Sequence, residues 1–323
     1  MSAAVARDTI APAIVGAEVG PIAHEIDARW LMAYAAALGE RDPRYFDTLA
    51  PHGPLAHPLF SVCYEWPVAV AIRDATIAAE LQPRSVHATH DLVIHRAPRA
   101  GDRLRTVARV TDVRDRRSGT LIVTRFVTTD TAGDPVTTTD YGSVYRGVPM
   151  TGASMTGASM TGVPPRDVDE PLPRAAAAGG PEAPRANAVL SEGASGPPAA
   201  ATGWQERVDV PATLALVYTE CARIWNPIHT DVAVARAAGL PAPILHGTAT
   251  LALAVSRALA HDRRGDPPAV AEVSARFTGM VAMPSTLTVR GRDGQDDGIG
   301  FDVVNEAGAP VLTAGRIRFR PTR

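Results

Sequence analysis

Apolar positions along this chain follow one programme that runs twice. The segments EIDARWLMAYAAALGE and VDVPATLALVYTECARIW each set an amphipathic pattern after an aspartate. In the second, Leu214, Val217, Tyr218 and Cys221 fall at i, i+3, i+4 and i+7, and Pro211 suits a first helical turn, so both segments predict short helices. A turn built on proline follows each, DPRYFD at Asp42–Asp47 and NPIHTD at Asn226–Asp231. Beyond a Gly/Pro-containing loop come PLFSVCYEWPVAVAIRDA and GTATLALAVSRALA. These runs are apolar on nearly every side, which predicts helices that other structure must wrap.

Each half then turns to alternating, β-branched segments. HATHDLVIHRA, DRLRTVARVTDV, TLIVTRFVTTD and TTTDYGSVYRG predict strands in the first half, and EVSARFTGM, STLTVRGRD, IGFDVVNEAG and VLTAGRIRFR do so in the second. AGDPV and AGAPV mark the matching hairpin turns. A buried helix followed by an antiparallel meander, given twice, is an α+β arrangement in which a curved sheet wraps a helix.

Residues 149–202 interrupt the pattern with MTGASMTGASMTG and a long run of small residues and prolines. Such a stretch buries too little surface to offset the entropy of ordering, so a flexible linker is expected, dispensable for folding. The expected division is 1–148, 149–202 and 203–323.

Composition narrows the chemistry. A net charge of −2 over 323 residues removes the broad positive field that nucleic acid or an anionic membrane surface demands. No apolar run approaches the roughly 20 residues that span a bilayer, and the N-terminal stretch has neither a basic region nor a continuous apolar one, so a cytoplasmic location is expected. The chain contains no lysine, which excludes Schiff-base catalysis and the lysine-dependent phosphate loop. Its two cysteines, Cys63 and Cys221, cannot make a disulfide framework or a four-thiolate zinc site and are expected in the core.

The stretch from Tyr218 to Thr250, YTECARIWNPIHTDVAVARAAGLPAPILHGTAT, carries the chemistry. NPIH at Asn226–His229 is followed sixteen residues later by Leu245-His246-Gly247 and then a helix. In this it resembles the MaoC-like, hydratase-2 group of hotdog-fold proteins. The resemblance covers both halves and implies a tandem (double) hotdog, one half degenerate and one bearing the motif. It also implies hydration of a 2-enoyl-CoA, or dehydration of a 3-hydroxyacyl-CoA, in fatty acid or polyketide metabolism. The implied handle is coenzyme A or an acyl-carrier pantetheine, and no metal or redox cofactor is implied.

That reaction needs a base for water, a proton donor for the α-carbon and a dipole for the enolate oxygen. His229 suits the water. Gly247, where the loop enters the helix, offers a backbone N–H and the helix dipole to the oxyanion. Asn226 is expected to brace the turn, with Pro227 fixing the backbone. Ile224, however, stands where the family carries its catalytic Asp. Glu220, one helical turn earlier, and Asp231 are the candidate replacements, a site working on His229 without that carboxylate being the other reading. Trp225, His246 and Arg276 join Ile224 as candidate substrate contacts, Arg276 toward a coenzyme A phosphate. Ser256 is expected to bond an upstream carbonyl in its helix.

In the first half Tyr45 stands where His229 does, and His57-Pro58 where His246-Gly247 does. Proline has no N–H, so the first half is expected to supply a wall and a widened acyl tunnel, with Phe60, Tyr64 and Trp66 as candidate liners. HATHDLVIH places His87 and His95 on one strand face and His90 on the other, so no metal site is expected. Two rival functions remain: a non-catalytic acyl-thioester-binding or partner subunit, and a thioesterase using Glu220. Pairing of two such chains is a further expectation.

Overall fold

The computed structural model describes residues 8–151, 203–262, 265–293 and 298–321, so most of the expected linker lies outside the described residues. Residues 149–151, at its edge, pair with the N-terminal segment, where the Ile10 N–H donates to the Pro149 carbonyl at 3.0 Å.

The first half runs β1 (Glu18–Glu25), α1 (Ala28–Ala37), α2 (Ser61–Thr76), β2 (Ser85–Ile94), β3 (Arg103–Arg116), β4 (Gly119–Asp130) and β5 (Pro135–Arg146). The second runs β6 (Gly203–Val210), α3 (Leu214–Ala222), α4 (Val232–Ala237), α5 (Gly247–His261), β7 (Val270–Phe277), β8 (Ser285–Asp293), β9 (Gly298–Val304) and β10 (Pro310–Phe319). One ten-stranded antiparallel sheet results, ordered β1-β3-β4-β5-β2-β7-β10-β9-β8-β6. Numbered within its own half, each set of five strands has the same order, and the halves join through the second strand of each. At that seam Leu92 faces Val273 and His90 faces Ala275.

The sheet curls around the two long helices. Helix α2 packs on β1 and β3, and α5 on β6, β8 and β9. Alanines at 249, 252, 254 and 258, interleaved with Leu251, Val255 and Leu259, leave α5 buried on nearly every side and let the sheet approach closely. Helix α1 starts at an N-cap, where Asp27 accepts from the Trp30 N–H at 2.7 Å. It packs on α3 across the halves, with the Tyr34 and Tyr218 rings 5.7 Å apart. One apolar cluster spans both halves, and a smaller one sits between α2 and the β3–β4 hairpin.

Three expectations about local structure are corrected. Strands β1 and β6 escape the alternation argument: Gly20-Pro21 interrupts the first, and the ladder to β3 shifts register there. Pro211 precedes α3 rather than opening it, and the buried face of α3 is Ala215, Tyr218, Thr219 and Ala222, one residue round from the expected stripe. Val217 is exposed, and Cys221 is only half-buried. The rotated face brings Thr219 inward, where its Oγ1 lies 3.2 Å from His246 Nε2, beside Tyr218, which donates to Thr248 Oγ1 at 3.1 Å. Among the described residues no helix is long and apolar enough to cross a membrane.

Candidate active site

The NPIH segment folds as a single 3-10 turn at Pro227–His229. Asn226 caps it, its side-chain oxygen accepting from the Ile228 N–H at 3.4 Å. His229 Nδ1 lies 2.8 Å from the Ile244 carbonyl. A carbonyl only accepts, so Nδ1 carries the proton and Nε2 keeps its lone pair. Burial lowers the His229 pKa to about 4, against the opposing pull of that hydrogen bond, so the ring is neutral at physiological pH.

The loop that supplies Ile244 is itself pinned, the Leu245 N–H donating to the Val281 carbonyl at 2.9 Å. It delivers His246 flat against His229, with ring centroids 3.7 Å apart, and Gly247 as the first residue of α5. An N–H in the first turn of a helix has no partner within it, so the Gly247 N–H is available to an anion. A methyl group at Gly247 would come within 3.1 Å of the Phe277 ring and 3.4 Å of His87 Cβ, so a side chain there would crowd the wall of the site.

His229, His246, Gly247, Asn226 and Ile224 share one cavity of about 440 Å³. Its other wall comes from the first half: Trp66, Ala69 and Ile72 of α2, and Val110, Ile122 and Phe126 of the β3–β4 hairpin. Trp66 therefore lies where a tunnel liner was expected. Phe60 and Tyr64 do not line the cavity: both are fully buried, Phe60 edge-on to Trp30 and Tyr34, and Tyr64 bonded to Thr137 at 2.9 Å.

Several expected residues stand elsewhere. Glu220 projects from the exposed side of α3. The helix ends at Ala222 and Arg223 turns the chain at φ 60°, so Ile224 is not one helical turn beyond it. Asp231 caps α4, accepting from the Ala233 and Val234 N–H groups at 2.7 and 3.1 Å. Trp225 is 59% exposed and outside the cavity lining. Arg276 sits on β7 opposite Thr89, its charge acting on Asp91, also outside the lining. Ser256 does bond the Ala252 carbonyl, at 3.0 Å, and also donates to Glu40.

The histidines of β2 depart from strict alternation. A register shift between His87 and Thr89 places the His87 and His90 rings 5.4 Å apart, while His95 is exposed and bonded to Thr138. His87 is sandwiched between Tyr141 at 3.9 Å and Phe277 at 4.0 Å. No cluster of three metal-ligating side chains occurs among the described residues.

The position in the first half that corresponds to this site is filled. Counting back from DPRY as from NPIH, Glu40 corresponds to Ile224. His57 Nδ1 accepts from the Leu59 N–H, so its Nε2–H donates to Ser256 Oγ at 3.1 Å, and the Ser256 hydroxyl in turn donates a hydrogen bond to Glu40 Oε1. His57 thus cannot act as a base toward Ser256. Only about 10 Å³ of space adjoins this cluster, too little for a ligand.

Sequence reasoning missed Glu65. It is the one carboxylate among the described residues lining the large cavity, it is 4% exposed, and it accepts from Thr139 Oγ1 at 2.6 Å. Burial raises its pKa to about 7, against the opposing effect of the Thr139 hydrogen bond. The signal was a lone charge inside the apolar run YEWPV.

Two curled sheets, each around a helix and joined edge to edge, with one open and one filled site, define a double hotdog fold. Residues 206–313 match the MaoC like domain, and residues 13–139 match the FAS1-like dehydratase domain region. The chain belongs to the MaoC-like dehydratase family. It is 43% identical over 63 residues to the peroxisomal enoyl-CoA hydratase 2 of Arabidopsis thaliana, a match covering 20% of each chain. It is 30% identical over 139 residues to a UPF0336 protein of Saccharopolyspora erythraea, covering 41% of this chain and 89% of that one. The crystal structure of a MaoC-like dehydratase from Phytophthora capsici superposes over 98% of both chains with a TM-score of 0.71 at 21% identity.

Proposed function

We propose that this protein adds water to a 2-enoyl thioester of coenzyme A or of an acyl carrier, or removes it from the 3-hydroxyacyl thioester. The observation that carries the reading is the tautomer of His229: its proton is committed to Ile244, which leaves a neutral Nε2 as base inside an apolar cavity. His229 takes a proton from water as the water oxygen bonds to C3. The electron pair of the double bond moves toward the thioester oxygen, where the Gly247 N–H and the α5 dipole stabilise the enolate. The apolar residues of the first half hold the acyl chain. In the same reading the chain divides as 1–148 and 203–323, joined through 149–202.

Loss of conjugated-enoyl absorbance with short, long and branched 2-enoyl-CoA thioesters tests this. Turnover that falls by about 10²–10⁴ in His229→Ala is expected, the range for loss of an acid–base group. Binding without turnover would instead make the protein an acyl-thioester-binding subunit. Release of free coenzyme A with the double bond intact would make it a thioesterase.

A further inference from the structure

Hydration needs a second proton-transfer group, and the position expected to supply it holds Ile224, which is buried and cannot move a proton. Glu220 and Asp231 both lie outside the cavity, so neither compensates. The cavity nevertheless contains a carboxyl, from the opposite half.

We propose that Glu65, carried by helix α2 of the first half, is the catalytic carboxyl of this site and exchanges the proton at C2 of the thioester substrate. The proposal rests on the hydratase reading above and adds to it the residue that replaces the missing Asp.

Four observations support it. Glu65 lines the same cavity as His229 and Gly247, and no other described lining residue is acidic. The Thr139 hydrogen bond holds one of its oxygens in place. Residues 139 and 141 of β5 share a face of the sheet about 7 Å apart. Tyr141 stacks on His87, His87 on Phe277, and Phe277 would touch a methyl at Gly247. Tyr141, His87 and Phe277 thus form a run of stacked rings in the cavity wall between the strand that anchors Glu65 and the helix start that presents Gly247. Finally, a fully buried carboxyl is costly to keep, and a carboxyl that titrates near neutrality is suited to giving and taking protons.

The step balances. As the water oxygen bonds to C3 and His229 Nε2 takes the water proton, the C2–C3 π pair shifts into the enolate. The enolate collapses by taking the Glu65 carboxyl proton at C2. The proton on the imidazolium then passes through water to the Glu65 carboxylate, restoring both groups. One water has been added to one double bond, and nothing has been oxidised or reduced.

The titratable groups around Glu65 are Cys63 and Tyr64 on its own helix, Tyr141 and Tyr145 on β5, and His87 on β2. Arg73 also lines the cavity, as do His229 and His246 from the second half. Burial keeps the thiol and phenols protonated and the histidines neutral, so Glu65 is the group among them that titrates near pH 7. Hydration requires its acid form, so turnover should fall about tenfold per pH unit above about 7. Dehydration starts from the Glu65 carboxylate with the His229 imidazolium, the same single proton shared by the pair, so its kcat/KM should fall along the same limb.

The test is Glu65→Gln, near-isosteric and still able to accept from Thr139, assayed in the full-length chain alongside the parent. Expected is a fall in kcat of about 10²–10⁴, loss of the limb near pH 7, and loss of C2 hydrogen exchange into D2O from the 3-hydroxyacyl thioester. Thr139→Val, which removes the donor that favours the carboxylate, should move the limb to higher pH. An active parent with Glu65→Gln within about threefold of it and the limb unchanged overturns the role of Glu65 and leaves the hydratase reading standing. A parent inactive on every thioester overturns the hydratase reading, and the proposal with it.

Discussion

The imidazole of His246 lies on that of His229 at 3.7 Å between centroids, with the planes inclined by 28°. Two buried rings so close disfavour charge on each other, and the pKa of His246 is pushed well down, by burial first and by His229 second. His246 thereby helps keep water from one face of the His229 ring. Replacing it with alanine should admit water there and raise the His229 pKa from about 4 toward 6.5. The low-pH limb of turnover should move up with it. An NMR titration of the His229 ring protons reads the shift directly.

Gly247→Ala separates space from stability. The added methyl must displace the Phe277 ring by a few tenths of an ångström and stands beside the N–H assigned to the oxyanion. Turnover should fall by roughly 10¹–10³, up to the range for loss of one oxyanion donor. Alanine is the better helix former by up to about 1 kcal/mol, so the melting temperature should hold or rise slightly. Parallel loss of activity and of folded protein would count against the assigned role.

Glu65 should cost stability in proportion to its ionisation. Its carboxyl pKa is raised from 4.5 to about 7 on folding, so the folded state binds more protons than the unfolded one between those values. Stability therefore falls as pH rises through that window and levels off above about 7, a loss of about 3 kcal/mol. Glu65→Gln removes the loss. It should melt higher than the parent near pH 8, with a smaller gap at about pH 5.5. A gap independent of pH would mean that the carboxyl is not buried in solution.

The histidines act in the opposite sense. Burial lowers His57 to about 3 and His90 and His229 to about 4, and it pushes His87 and His246 down as well. Below pH 6.5 the unfolded chain takes up protons that these rings refuse, so stability is lost as pH falls toward the folded values, by about 1.4 kcal/mol per pH unit for each ring. Five such rings outweigh the opposing carboxyls of Glu65, Asp91 and Glu40, whose pKa values burial raises. Melting temperature should therefore drop steeply below about pH 6, and calorimetry in buffers of different ionisation heat should record net proton uptake on unfolding.

What was legible in the sequence was whatever local periodicity controls. Helices α2 and α5 and eight of the strands show as runs of fixed period, and NPIH with Leu245-His246-Gly247 showed where the chemistry lies. Three things escaped because their causes are not local. The inward face of α3 carries hydroxyls with partners on α5 and the preceding loop, which the apolar count cannot weigh. Glu220 looked one turn from Ile224 because the left-handed residue at Arg223 cannot be read from an arginine. Glu65 lies more than 150 residues before the motif, and it is the packing of the two halves, along the β2–β7 seam and between α1 and α3, that brings its wall to the cavity.

The residues of the motif sit in one half, while much of the wall along which an acyl chain would lie is built by the other. The first half, its own pocket plugged by Glu40, Ser256 and His57, is left with a single proposed reacting group, Glu65. Its Val110, Ile122 and Phe126 can be exchanged for larger or smaller neighbours without touching a reacting group. In a chain organised this way the plugged copy would act as the gauge: Glu65 apart, the residues that would size the substrate and those that would react with it belong to separate halves, so the fit could be altered without rewriting the chemistry.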